Sequence, residues 1–272
     1  KRKTVTTNYT NHFKQNNMGE SIINNGYRCG NFTSSNIHKL MTLNRKGDDF
    51  GAPALEYIDE VNMTRLLGRS LSIETNSKPT SWGKLLENRV FDDLLGLDYT
   101  LSSQITDVHP TIDFWAGSKD GTKECEERTV IDIKCPATLK AFCQLVMPIY
   151  KGMDGMDAIN EIRENSKSGD AYYWQLVSNA IINGCDWAEL VVYVPYKSEL
   201  LAIYELAKGN PSVKWLEYAD SDEIPYLIDG GYFKNLNKIR FKVPQDDKDL
   251  LTSTVLRAGE KLIPRPIINQ QS

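Results

Sequence analysis

Thr129-Val130-Ile131-Asp132-Ile133-Lys134-Cys135-Pro136 is a run of β-forming residues interrupted only by Asp132 and Lys134, preceded by the charged Glu126-Glu127-Arg128 and stopped by a proline. It predicts a strand. Side chains two apart on a strand stand on one face, about 7 Å apart, so Asp132 and Lys134 share a face with Val130 while Ile131 and Ile133 point to the other. The segment Gly117-Ser118-Lys119-Asp120-Gly121-Thr122-Lys123-Glu124 is rich in turn formers. The preceding Thr111 to Ala116 is therefore expected to fold back as a hairpin and set Asp113 beside Asp132. Two carboxylates and an ammonium then converge.

That set suits phosphodiester hydrolysis. Carboxylate oxygens bind a hard cation, which polarises a phosphate and lowers the pKa of an attacking water. A lysine beside them orients that water or stabilises the developing charge. An Asp-x-Lys triplet alone is common and reads equally well as an exposed ion pair, so the rest of the chain has to decide.

A chain of 272 residues with 40% hydrophobic content has enough apolar surface for a sizeable core, in one large domain or a domain with a helical extension. No apolar run approaches the roughly 18 residues of a membrane helix and no secretory pattern opens the chain, which predicts a soluble cytoplasmic protein. Five cysteines without a Cys-x-x-Cys pair argue against a disulfide framework and against an iron–sulfur or zinc site. The net charge of −4 weighs against a nucleic-acid partner. A site that collects several metal-binding carboxylates accounts for much of it, and a basic channel can coexist with an acidic exterior.

In chain order, residues 1–17 are polar and rich in Thr and Asn, part of a flexible arm over residues 1–25. Arg28 precedes Thr33-Ser34-Ser35, which can cap a helix from Asn36 to Leu43; an arginine beside such a helix N-terminus suits an anion. Pro53 to Leu67 reads as an amphipathic helix ended by Gly68, and Ser81 to Leu95 as another ended by Gly96. Glu87 lies at the border of the apolar face Leu86, Val90, Phe91 and Leu94, where its carboxylate can reach the sheet. Leu101 to Val108 is expected as a strand, Ala137 to Met147 as a helix, and Pro148 to Ser168 as a polar connection. Asp170 to Asn183 is a helix with Tyr172, Gln175 and Asn179 on one face. Trp187 to Val194 is a strand, Ser198 to Lys208 a helix, Trp215 to Gly231 irregular, Lys238 to Val243 a strand, and Asp247 to Leu262 a closing helix.

With Glu87 on a helix and Asp113, Asp132 and Lys134 on strands in this order, the chain resembles the PD-(D/E)xK nuclease superfamily. Within it, the chain resembles the phage lambda exonuclease or YqaJ-type viral recombinase family. The resemblance spans roughly Gly26 to Pro195. Five blocks carry it: Arg28-Cys29-Gly30-Asn31-Phe32-Thr33-Ser34-Ser35, Trp82-Gly83-Lys84-Leu85-Leu86-Glu87-Asn88, Thr111-Ile112-Asp113, Asp132-Ile133-Lys134-Cys135-Pro136, and Ala171-Tyr172-Tyr173-Trp174-Gln175. The chain departs from the family at Asp132, where relatives carry Glu. It departs again around Asp113, which has Ile112 and Phe114 as neighbours where the family has Pro and Gly. Thr111 replaces a Ser, and Val177 stands where relatives often have a second Gln.

The resemblance implies an α/β fold with a PD-(D/E)xK restriction-endonuclease-like core, a central mixed β-sheet flanked by helices. It implies one nuclease domain over residues 26–262, with the core at about 80–195, a C-terminal strand and helix within 238–262, and a tail at 263–272. Asp113 would bridge two Mg²⁺ ions, with Mn²⁺ as a substitute. Asp132 and the Ile133 backbone carbonyl would complete one metal shell, Glu87 would serve the site from its helix, and Lys134 would position the water. Arg28, Ser35, Thr111 and Gln175 match the positions that hold a terminal 5′ phosphate. The implied activity is 5′-to-3′ exonuclease action on linear double-stranded DNA, leaving 3′ overhangs for a single-strand annealing protein. A homotrimer, with no membrane association, in the cytoplasm of a bacterial host and encoded by a phage or prophage, completes that picture. An endonuclease of restriction or repair type and a catalytically inactive DNA-end-binding scaffold are the alternatives.

Overall fold

A computed structural model describes residues 28–71, 77–102, 105–124 and 127–265. The predicted arm (1–25), residues 72–76 and the part of the expected tail beyond Arg265 lie outside them.

Phe32–Thr33 (β1) runs directly into a 3-10 helix over Ser34–Met41. An α-helix from Asn36 was expected. The chain enters the tighter 3-10 winding two residues earlier, and in that winding Ile37 and Leu40, three apart, eclipse one another and are both buried. Ala52–Leu67 (α1) follows, with proline in its first turn and Gly68 at φ 65° closing it, as the sequence predicts. Lys78–Arg89 (α2) is capped by Ser77, whose hydroxyl accepts the Thr80 amide at 3.3 Å, and passes into a π-helical turn over Val90–Leu94. The expected long strand at 101–108 is two short ones, Tyr99–Leu101 (β2) and Asp107–Val108 (β3). Trp115–Gly117 (β4), Gly121–Lys123 (β5) and Thr129–Lys134 (β6) come next.

Leu139–Tyr150 (α3) is capped by Thr138, and Gly155–Asn165 (α4) occupies the stretch expected to be a connection. Ala158, Ile159 and Ile162 make that stretch amphipathic and are buried, a pattern obscured in the sequence by the charges around it. Gly169–Ile182 (α5), Trp187–Tyr193 (β7), Leu200–Ala207 (α6), Leu236–Lys242 (β8) and Gln245–Gly259 (α7) complete the chain, with short 3-10 turns over Pro211–Glu217 and Ser221–Glu223 in the region expected to be irregular. Among the described residues no helix is long and apolar enough to cross a membrane, and Cys29, Cys135, Cys143 and Cys185 are free thiols.

Among the described residues the strands form two sheets. One has the order β1-β4-β3; the other is a mixed five-stranded sheet, β2-β5-β6-β7-β8, in which only β6 and β7 are parallel. The strand predicted from Thr129 to Lys134 is central to the second sheet and its side chains alternate as expected. Val130 packs with Phe142, Leu145 and Leu176 on one face. Ile131 and Ile133 pack with Trp82, Leu86 and Tyr193 on the other.

The partner of that strand differs from the expected one. Gly121–Lys123 pairs with β6, in the register Gly121 opposite Ile131. Thr111 to Ala116 does not reach it. His109 stacks on Trp115 (centroids 5.0 Å apart), and its Nδ1 accepts the amides of Thr111 at 3.2 Å and Ile112 at 3.1 Å, which folds this stretch into a local turn. The chain then enters β4, which pairs with β1 and β3, and changes sheets between Gly117 and Gly121. The turn-rich segment that was expected to be the hairpin loop thus contains the hairpin's first strand. A seven-residue displacement results, and it changes which acid faces Asp132.

Candidate active site

Asp120 faces Asp132. Its amide donates to the Ile131 carbonyl at 3.1 Å, and its Oδ2 accepts the Ile133 amide at 2.6 Å. The N–H and C=O of one strand residue point to the same side, and residues two apart repeat that direction. The Ile133 carbonyl is thereby turned toward the edge where β5 ends and Asp120 sits. Gly121, next to Asp120, is required by packing: a Cβ there would lie 2.5 Å from Phe91 Cζ and 2.5 Å from the Thr100 carbonyl oxygen.

Glu87 approaches the same edge from α2, on the opposite face of the sheet from α5. Burial, then the negative charges of Asp132 and Glu87, push the Asp120 carboxyl well above the usual carboxylate range; Lys134 and the Ile133 amide act against this. Asp132 and Glu87 thus both act on Asp120.

Asp132 is fully buried. Its Oδ1 accepts Gln175 Nε2 at 2.8 Å, and its Oδ2 lies 2.6 Å from Lys134 Nζ. That close contact is not aligned as a hydrogen bond, and Oδ2 has no directed donor. The pair is a close ion pair that holds the Lys134 charge against Asp132. Lys134 also donates to Gln175 Oε1 at 3.4 Å and lies 4.8 Å from the centre of the Tyr172 ring. Burial opposes its charge, but Asp132 and Asp120 outweigh that and raise its pKa, so the ammonium is held charged.

Of the residues singled out in the sequence, Glu87, Asp132, Lys134 and Gln175 come together, and Ile133 presents its backbone beside them. Gln175, expected at a phosphate, bridges Asp132 and Lys134. Asp113 is not in this group. It is exposed in the turn closed by His109, and its charge acts on Arg65. Thr111, exposed in the same turn, moves away with it. Arg28 and Ser35 form a separate locus: Arg28 Nη2 donates to Ser35 Oγ at 3.4 Å, and Arg28 lines a cleft of about 370 Å³ together with Asn31, Thr33, Asn36, Tyr57 and the acidic Glu60.

Asp120 was missed, although the sequence carries its signal. The family pattern places glycine after the first acid, and Asp120-Gly121 satisfies this where Asp113-Phe114 does not. Ser118 precedes Asp120 by the two residues that separate Thr111 from Asp113, and its hydroxyl shares a hydrogen bond with Thr106 at 3.0 Å. It lies on the continuation of β4, whose Gly117 abuts Ser34: a Cβ on Gly117 would fall 2.1 Å from Ser34 Oγ and 2.4 Å from Asn179 Oδ1.

Among the described residues no trio of His, Cys, Asp or Glu stands as a ready-made metal cage. The donor chemistry nevertheless fits a hard divalent cation. It offers carboxylate oxygens of Asp120, Asp132 and Glu87, a buried Asp132 oxygen without a directed donor, and a strand carbonyl. The Lys134 ammonium neutralises Asp132 in the arrangement described here.

A mixed sheet with its acids and lysine at the end of a central hairpin, one further acid on the covering helix, and helices on both faces defines the PD-(D/E)xK nuclease fold. Solved exonuclease structures share this fold. The chain superposes on an alkaline exonuclease from Laribacter hongkongensis with a TM-score of 0.54, at 16% identity, over 88% of this chain and 91% of that one. The same exonuclease in complex with dAMP gives 0.53 at 16% identity, over 87% and 90%. A phage-related exonuclease from Haemophilus somnus 129PT gives 0.54 at 14% identity, over 85% and 92%. At these identities the likeness is one of fold. No protein-family model matches the chain, and no curated protein sequence matches it.

Proposed function

We propose that the protein is a metal-dependent deoxyribonuclease that digests the 5′ strand of linear duplex DNA and leaves a 3′ overhang. The observation that carries this reading is the meeting of Asp120, Asp132, Glu87 and Lys134 at the end of the β5–β6 hairpin, in a fold shared with exonucleases. Asp120, Asp132, Glu87 and the Ile133 carbonyl would hold Mg²⁺, in one or two ions and with Mn²⁺ as a substitute. When bound, the cation supplies Lewis-acid polarisation of the phosphate and a more acidic water.

The chain's own residues do the rest. Lys134, kept charged by Asp132 and Asp120, orients the attacking water and offsets charge developing on the phosphoryl oxygens. Gln175 fixes the direction of both Asp132 and Lys134 by holding one with its amide nitrogen and the other with its oxygen. Arg28 and Ser35 hold the terminal 5′ phosphate, with Ser118 in the place first given to Thr111. The resemblance to the lambda exonuclease family supports the wider reading: a homotrimer acting on DNA ends, transfer of the overhang to a single-strand annealing protein, and a phage or prophage origin in a bacterial cytoplasm.

The test is incubation with Mg²⁺ and linear duplex DNA labelled at either strand end, with 5′-phosphate or 5′-hydroxyl termini, beside closed circular DNA and a Lys134→Ala control. Loss of nucleotides from phosphorylated 5′ ends, abolished in the control, is the expected result. Cutting of closed circles would replace the exonuclease by an endonuclease, and binding without cleavage in Mg²⁺ or Mn²⁺ would replace it by a scaffold.

A further inference from the structure

The segment 261–265, which runs from the end of the expected closing helix into the stretch expected to be a tail, is fastened to the turn that carries Arg28. Both rest on the C-terminal half of α1. Asn62 donates through Nδ2 to the Lys261 carbonyl at 3.1 Å and accepts the Ile263 amide on Oδ1 at 2.9 Å. Arg65 spans the two: its Nε donates to the Gly30 carbonyl at 2.8 Å and its Nη1 to the Ile263 carbonyl at 2.9 Å. Thr64 Oγ1 accepts the Gly30 amide at 3.0 Å, and the Thr64 carbonyl accepts the Cys29 thiol at 3.4 Å. Arg265 closes the loop from the other side, donating to Asn31 Oδ1 at 2.6 Å and to the Cys29 carbonyl at 3.4 Å.

Gly30 lies between the two arginines. Its φ of +74° is one that glycine tolerates, and a Cβ there would meet Arg65 Cγ at 2.7 Å and Arg265 Nε at 3.6 Å. Cys29, Gly30 and Asn31 are therefore each held, while the Arg28 side chain, next in line, reaches into the cleft that Asn31 also lines. Two guanidiniums are kept close together here, against mutual repulsion, with Asp113 as the nearby opposite charge. Such an arrangement fixes a backbone better than it packs a core, because each arginine offers several donors in a rigid fork to carbonyls of different segments.

We propose that residues 261–265 are a strap whose Arg265, with Arg65 and Asn62, positions Arg28 for the terminal phosphate. The inference rests on the reading of Arg28 given above. Arg265 is a positioning residue: it acts through the turn and does not touch the reacting atoms. Removing it lets the turn relax, which weakens capture of a phosphorylated end and leaves hydrolysis itself intact.

Arg265→Ala and a chain ending at Leu262 are compared with the full chain and with Arg28→Ala on linear duplexes bearing 5′-phosphate or 5′-hydroxyl ends. Arg265→Ala is expected to lower the phosphate-over-hydroxyl ratio of kcat/KM about tenfold, the scale of one charge-assisted hydrogen bond. The loss should appear in KM with kcat retained, and amide exchange at Gly30 and Asn31 should quicken. In the Arg28→Ala background, Arg265→Ala is expected to change the ratio no further, which a general loss of stability would not reproduce. If Arg28→Ala lowers the ratio and Arg265→Ala does not, the strap is overturned and the phosphate site stands. If Arg28→Ala leaves the ratio unchanged, the phosphate site falls and the strap's role falls with it.

Discussion

Asp120 accepts the Ile133 amide on Oδ2 at 2.6 Å, across the hairpin formed by β5 and β6. A single hydrogen bond thus ties a carboxylate to the strand residue whose own carbonyl is turned to the same side. It also separates Asp120 from Asp113, seven residues earlier, whose side chain stands in another turn beside Arg65.

Asp120→Asn is expected to reduce Mg²⁺-dependent cleavage by at least about 10³-fold, the scale of losing a group that acts at the reacting centre. Asp113→Asn is expected to stay within about twofold of the parent, as a surface change away from such a centre does. The pair decides between the two acids in one rate measurement, and equal losses would undo the assignment.

The same Asp120→Asn variant is expected to be more stable than the parent in EDTA. The asparagine keeps an oxygen for the Ile133 amide and removes the buried carboxylate on which the charges of Asp132 and Glu87 act, so the gain is on the order of 1–2 kcal/mol. Thermal unfolding with and without EDTA measures it; a lower Tm for the variant would show that the acids are already compensated.

Gln175→Leu deprives the buried Asp132 Oδ1 of its donor. A loss of about 1–3 kcal/mol is expected from the unsatisfied acceptor alone, read as a lower urea midpoint at unchanged slope. A midpoint that does not move would mean that Asp132 finds another donor.

Gly117→Ala places a methyl 2.1 Å from Ser34 Oγ and 2.4 Å from Asn179 Oδ1. Destabilisation of about 1–3 kcal/mol is expected from the overpacking. Ser34→Ala in the same chain removes the shorter of the two contacts and should restore part of the stability, measured by the same denaturation.

Glu199 gives a pH signature away from the site. Its burial is outweighed by the Tyr196 amide, Asn235, Arg89 and Tyr193, which together hold its carboxyl below the usual value; Arg89 lies at 3.0 Å. A depressed folded-state pKa stabilises the protein above the unfolded value of about 4.3, and that contribution is lost as pH falls through the folded value. Below about pH 4.3 the stability of the parent should fall more steeply than that of Glu199→Gln; parallel acid limbs would remove Glu199 as a cause.

The central strand was legible because its period is its own: Val130, Asp132 and Lys134 alternate with Ile131 and Ile133 whatever lies beside them. Glu87 and Gln175 were legible as positions on helix faces. The neighbour of the strand was not. Gly121-Thr122-Lys123 is three residues long and flanked by Lys119-Asp120 and Glu124, so nothing local marks it as a strand; only pairing with β2 and β6 makes it one. The turn at Thr111 and Ile112 depends on His109, whose ring is set by Trp115, and such a contact has no periodic trace. The seven-residue displacement follows from these two facts. So does the reading of 263–265 as a tail, since its partners Asn62, Arg65 and Asn31 are some two hundred residues away in the chain.

The passage from Gly117 to Asp120 belongs to both sheets. At one end the chain abuts Ser34, and at the other it meets Asp132. Three residues of backbone span at most about 10 Å, and here both ends are clamped by strand pairing. The distance between what touches Ser34 and what touches Asp132 is therefore gauged by peptide units, without the slack of side chains. A deletion or insertion between Gly117 and Asp120 would reset that gauge even if every acid, lysine and arginine remained in place.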